Sequence, residues 1–188
     1  VQDTVLDSNH IVRRSHFDPS IRIFPGGDNI ALRNNIFEHL EGSQEAIRFE
    51  WGADDAAIGD VWVLHNTFLT PNNEGSFINV ASSPAEGASF TIANNLHIQP
   101  DLITAVDGWG PYKITTGTPL TGIAFSGSLW QQPASGDPFR IAGTPVSTES
   151  WIADYTGEGF HPFSTAELES ARGLEAPAVA VGHCTSFP

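Results

Sequence analysis

The chain has 188 residues, 40 % of them apolar, with 18 glycines, 13 prolines and a net charge of −14. That is enough chain for one domain with a substantial core, and its glycine and proline favour many turns over long helices. So acidic a chain argues against nucleic acid as a partner, because phosphate binding needs a basic surface.

In chain order the predicted elements form an imperfect repeat. TVLDSNHIV (4–12) reads as two short strands broken by a polar corner, and IRIF (21–24) follows after a polar loop. NIALRNNIFEH (29–39) with AIRFEW (46–51) has the same form, as do VWVLHNTFL (61–69) with SFINV (76–80) and FTIANNLHI (90–98) with LITAV (102–106). GIAFSGSLW (122–130) with FRIAG (139–143) is a degenerate fifth copy. Aligned on the corner, Asn9, Asn35, Asn66, Asn95 and Gly127 share a column at intervals of 26, 31, 29 and 32 residues. Three positions before it stand Leu6, Leu32, Val63, Ile92 and Ala124; two positions after it stand Ile11, Phe37, Phe68, His97 and Leu129. Period-2 alternation leads into the column, and the inward face resumes after it. A tight corner needs left-handed backbone, which Asn and Gly tolerate best, so the column itself is expected to adopt it. Stacked asparagines are also expected to hydrogen-bond to one another. Unrelated hairpin turns would not keep the same apolar columns on both sides.

After residue 143 the repeat ends, and residues 144–188 are expected to fold back over the last coils. PFSTAELESARGLEAP (162–177) predicts one short helix, with Ser164 as N-cap, Glu167 three residues on and Gly173 as the stop. PAVAVGH (177–183) has the composition of a strand. Trp62, Leu64, Ile123 and Phe125 are expected to face outward and to seat the tail. Cys184 is the one cysteine, which leaves it a free thiol or a bond to another chain. No apolar run approaches the roughly 20 residues of a membrane helix.

Three strands per repeat, an Asn corner and loops of variable length resemble the right-handed parallel β-helix of the pectate-lyase-like superfamily, over residues 1 to about 143. The resemblance implies an all-β fold, a right-handed parallel β-helix of about five coils with a C-terminal tail containing one short helix. DYTGEGF (154–160) is weakly similar to the closing segment of such lyase domains. In that superfamily the strand after the long loop belongs to the first sheet, whose face carries the substrate groove in many members. Carried over, the first-sheet strands are 21–24, 46–51, 76–80, 102–106 and 139–143. Five coils is short for the superfamily, and VQDTV opens inside a coil with no capping helix. An uncapped solenoid end exposes strand edges and core. The expectation is therefore a C-terminal portion of a longer solenoid, with an N-terminal companion segment or chain, or a second copy, as partner.

Alternation on the first sheet places Ile21, Ile23, Ile47, Phe49, Phe139 and Ile141 inside, and Arg22, Arg48, Glu50 and Arg140 outside. Three of the eight cations of the chain thus share one face. Guanidinium groups bind carboxylate or sulfate in bidentate fashion, so such a row suits an acidic polysaccharide; pairing of each Arg with a carboxylate such as Glu50 is the structural alternative. EWGADDAA (50–57) and VDGWGPYK (106–113) add Trp51, Trp109 and Tyr112 as rings for sugar faces. Asp54 and Asp55 are candidate ligands for calcium, or else a solvated turn. β-Elimination needs a base and a cation or acid that neutralises the uronate carboxylate; Lys113 or an outward arginine such as Arg48 is a candidate for the base, and the other arginines or calcium for the neutralising group. Hydrolysis needs two carboxylates, for which Asp54, Asp55 and Asp107 are candidates. The histidines show no metal spacing, and no catalytic triad order, P-loop or dinucleotide fingerprint is present. The function expected is a secreted or cell-surface lyase on an acidic, uronate-containing glycan. A non-catalytic adhesin, fibre or surface-layer component, or a phage tail-spike-like protein, is the alternative.

Overall fold

The computed structural model describes residues 2–13, 19–24, 26–39, 45–49, 58–70, 78–80, 84–100, 112–114, 122–141, 143–155 and 157–172. Each repeat forms a rung of three short strands. The first rung is β1 (Gln2–Asp7), β2 (His10–Arg13) and β3 (Ile21–Ile23); the second is β4 (Asp28–Arg33), β5 (Ile36–His39) and β6 (Ile47–Phe49). The third is β7 (Val61–Leu64), β8 (Thr67–Leu69) and β9 (Ile78–Val80); the fourth is β10 (Phe90–Ala93), β11 (Leu96–Ile98) and β12 (Tyr112–Ile114). The fifth is β13 (Ile123–Ser126), β14 (Leu129–Gln131) and β15 (Phe139–Ile141). Equivalent strands pair parallel and in order, giving sheet A (β1-β4-β7-β10-β13), sheet B through β2, β5, β8, β11 and β14, and sheet C through β3, β6, β9, β12 and β15. The chain is a parallel β-solenoid.

Sheet A and sheet B meet at a two-residue corner, and here the sequence expectation needs correcting. The left-handed residue is the one before the asparagine. Ser8, Asn34, His65, Asn94 and Gly127 have φ of 58°, 55°, 55°, 55° and 67°. In the fifth rung the ladder position is therefore Ser128, with Gly127 the residue at positive φ. An added Cβ at Gly127 would collide with Asn94 Oδ1, so glycine fits both the dihedral and the space. The same one-residue shift carries through the rung. Ile123 and Phe125 pair with Phe90 and Ile92 and are buried, so they belong to the core and do not face outward. The inward residue of β14 is Trp130 where Leu129 had been expected.

The asparagines themselves turn inward and make a directional ladder. Asn9, Asn35 and Asn66 each send two donors, the backbone N–H and Nδ2, to the Oδ1 of the asparagine one rung on, at 3.0 to 3.1 Å. Nδ2 of Asn35, Asn66 and Asn95 also reaches back one rung to the carbonyls of Leu6, Leu32 and Val63, at 2.9, 2.9 and 2.8 Å. At Asn35, Asn66 and Asn95 the corner amides, which the turn takes out of the strand ladder, are thereby satisfied away from water. In-register stacking also aligns the apolar columns. Phe37, Phe68, His97 and Trp130 form a continuous ring stack, with centroids 5.0, 4.6 and 3.8 Å apart. His97 is 0 % exposed within it, and burial holds its imidazole well below the usual value.

The C-terminal end of the tube is closed. β16 (Thr144–Val146) pairs antiparallel with β15. Helix α1 (Thr148–Asp154) follows, capped by Ser147, whose Oγ accepts from the Ser150 N–H at 3.2 Å. Its Trp151 is buried and stacks on Phe139 at 3.6 Å and 6°. Glu158 ends the polar ladder: Oε1 accepts from the Ser128 N–H at 2.9 Å, and Oε2 accepts from the indole N–H groups of Trp130 and Trp151. Burial raises the Glu158 carboxyl pKa, and these donors partly oppose that shift. β17 (Gly159–His161) then extends sheet B by pairing with β14.

Helix α2 (Thr165–Arg172) begins in the expected capping box: Ser164 N–H donates to Glu167 Oε2 at 2.7 Å, and Glu167 N–H donates to Ser164 Oγ at 3.2 Å. Leu168 packs on Leu69 and Ile98 of sheet B. Residues 177–183, the suggested last strand, lie outside the described residues.

Candidate anion-binding face

Sheet C strands bury Ile23, Ile47, Phe49, Ile78, Val80 and Phe139, which leaves their middle residues to the outer face. The sequence expectation for the fourth strand, 102–106, falls outside the described residues; the strand that fills this rung is Tyr112–Ile114. It pairs Lys113 with Asn79 on one side and with Arg140 on the other. Arg22 pairs with Arg48, and Arg48 with Asn79. One register column therefore reads Arg22, Arg48, Asn79, Lys113, Arg140. Strand neighbours lie about 4.8 Å apart, so the column runs roughly 19 Å along the axis. It holds four of the eight cations of a chain with net charge −14.

The side chains of this column are not equally available. Arg22 is exposed, whereas Arg48 and Arg140 are half-buried. Arg140 Nη1 donates to the Gly143 carbonyl at 3.3 Å. Asn79 is buried, and its Nδ2 donates to Glu45 Oε1 at 2.7 Å. Glu45 is 1 % exposed, with Oε2 3.9 Å from Arg48 Nη1. Sequence reasoning did not single out Glu45, because it lies just before the strand, where alternation assigns no face. The carboxylate beside Arg48 is thus Glu45; Glu50, named from sequence for that role, lies outside the described residues.

Of the other residues expected at a site, Trp51, Asp54, Asp55, Asp107 and Trp109 lie outside the described residues, and Tyr112 is placed by its backbone on sheet C beside Lys113. Elsewhere, titratable groups make pairs on other faces. His10 Nε2 meets Glu38 Oε2 at 3.0 Å on sheet B, and His161 Nε2 meets Glu167 Oε1 at 3.3 Å. Asp7, at the end of β1, accepts from Arg33 Nε at 2.9 Å; the Asn34 amide, with Ser8 and Arg33, holds its carboxyl below the usual range. Among the described residues no group of His, Cys, Asp and Glu is placed to hold a metal ion. Also among them, no helix is long and apolar enough to cross a membrane. Comparison with protein-family models, with curated proteins and with solved structures gives no match to this chain, so its fold assignment rests on the pairing and register described above.

Proposed function

We propose that the outer face of sheet C binds an acidic, uronate-containing glycan laid along the solenoid axis, and that the protein is a secreted lyase cleaving it by β-elimination. The carrying observation is the column Arg22, Arg48, Asn79, Lys113, Arg140, in register over five rungs. A glycan with one carboxylate per sugar presents its charges at a repeat comparable to that of the rungs. In elimination a base removes the proton at C5 of the uronate, the C5–H electrons form the C4–C5 double bond, and the C4–O bond breaks, its oxygen leaving with a proton. The negative charge building at C5 spreads onto the carboxylate, so a guanidinium there lowers the barrier. Lys113 is the proposed base and Arg48 the proposed neutralising group, with Asp107 a further catalytic candidate. Trp51, Trp109, Tyr112 and Glu50 are proposed sugar contacts, and Asp54 with Asp55 the proposed calcium ligands.

The test is incubation with polygalacturonate and other uronate polymers while following the ultraviolet absorbance of the unsaturated product. Arg48→Ala and Lys113→Ala should abolish product, and binding should weaken with added salt. The internal engagement of Arg48 with Glu45 and of Arg140 with Gly143 favours a second reading, a non-catalytic β-helical adhesin or fibre component. Absence of product from every acidic glycan would replace the first reading with the second.

A further inference from the structure

Each rung is fitted to receive the rung before it, and the first rung carries the same fittings on its outer side. At the second, third and fourth corners the asparagine Oδ1 takes two N–H donors from the preceding corner. The asparagine Nδ2 reaches a carbonyl three residues before that preceding corner. The next N–H, of Ile36, Thr67 or Leu96, donates to the carbonyl of the preceding asparagine at 2.8 Å. At the first corner the corresponding groups are Asn9 Oδ1, Asn9 Nδ2 and the His10 N–H. They face the end of the tube, and Asn9 Nδ2 folds back onto the Asp7 carbonyl at 2.9 Å.

Beside them the lumen opens as a cavity of about 340 Å³, lined by Leu6, Ile21, Ile23, Phe24, Ile30 and Leu32. Val5 and Phe24 are 58 % and 56 % exposed at this end. The other end cannot supply the match. Glu158, Trp151 and the antiparallel β16 close it, so a second copy cannot stack head to tail. A second copy placed head to head would turn one Asn9 Oδ1 toward another, acceptor against acceptor.

We propose that this end face is a docking surface for one further parallel coil of the same kind, which the extended chains described below supply. The occupant is defined by its chemistry. It offers a two-residue corner with left-handed backbone first and an asparagine second, whose N–H and Nδ2 donate to Asn9 Oδ1. Its carbonyls accept from Asn9 Nδ2 and the His10 N–H, and an apolar column fills the cavity.

Two extended chains test this. In one, residues 61–89 are repeated directly ahead of Thr4, which sets the added corner asparagine 29 residues before Asn9, the Asn66-to-Asn95 interval. In the other, residues 30–60 are repeated there, giving the 31-residue interval of Asn35 to Asn66. The expected result in at least one is a slowing of His10 amide exchange by tenfold or more and a thermal midpoint raised by several degrees. Most of both gains should be lost when the added corner asparagine is changed to alanine. Failure of both extensions to protect the His10 amide, folded or not, overturns the proposal. So does a dimer of the unextended chain in which that amide is already protected, since the occupant is then a second copy.

Discussion

Asn66→Ala removes the centre of the polar ladder, and its cost can be worked from the contacts. Asn66 is buried, and its Oδ1 accepts from both the N–H and the Nδ2 of Asn35, each at 3.0 Å. Its Nδ2 donates to Leu32 O at 2.9 Å and to Asn95 Oδ1 at 3.1 Å. Alanine leaves the Asn35 N–H and amide without that acceptor in a site closed to water. Leaving a buried polar group unsatisfied costs about 1–3 kcal/mol. Two such groups, with partial relaxation, give about 4 kcal/mol, or roughly 8–16 °C in midpoint at 2–4 °C per kcal/mol for a chain of this size. Asn9→Ala is the internal control. Its rung is the last at the open end, nothing described accepts from or donates to it on the outer side, and water can reach the site. Its cost should stay near 1 kcal/mol. Urea unfolding followed by circular dichroism and by tryptophan emission measures both, with two probes because a repeat fold need not unfold in one step. If Asn66→Ala costs no more than Asn9→Ala, the ladder is decoration on a fold held by its apolar columns.

Two buried groups give pH dependences of opposite sign. Burial depresses the His97 pKa, so its contribution to stability is present above the ordinary imidazole value of 6.5 and is lost as pH falls below it; His97→Phe, which keeps a ring between Phe68 and Trp130, should flatten the acid side of a stability–pH curve measured by urea unfolding. Burial raises the Glu158 pKa above its ordinary 4.5, so its contribution is present below that value and fades as pH rises through the raised one; Glu158→Gln, which puts a donor against either Ser128 N–H or the two indoles, should be most destabilising in acid and less so toward neutrality. Leu168→Ala should cost about 2 kcal/mol, the low end for a buried leucine because α2 can detach on its own, and should speed amide exchange in α2 while leaving that of β7 and β10 unchanged.

The fold was legible because its signal is repetitive. Asn35, Asn66 and Asn95 sit in like-for-like surroundings, and a column seen three times outweighs the ambiguity of any one short strand. The same logic explains where the sequence misled. A tight turn selects for asparagine at two adjacent positions for different reasons, backbone freedom at Asn34 and Asn94 and side-chain hydrogen bonding at Asn35 and Asn95. With glycine and serine in the fifth corner, alignment on glycine moved that rung by one residue and turned Ile123 and Phe125 to the wrong face. Helix α1 carried too little pattern in TESWIAD to stand out; its helical state follows from the Ser147 cap and from Trp151 closing the tube. The fourth strand of sheet C was missed because LITAV has the better strand composition, while register with Asn79 and Arg140 selects Tyr112–Ile114. That choice also brings Lys113 into the cation column, which composition could not foresee.

The cation column leaves only four basic residues to offset 22 acidic ones over the rest of the chain. On the proposed reading these cations stand in register along the solenoid axis of a chain whose net charge is −14. Beyond about 10 Å at 0.1 M salt the column is screened, whereas the net negative charge of the chain disfavours the approach of polyanions in general. A polyanion held at this column, as proposed, would accordingly be gripped at short range only and let go as salt rises.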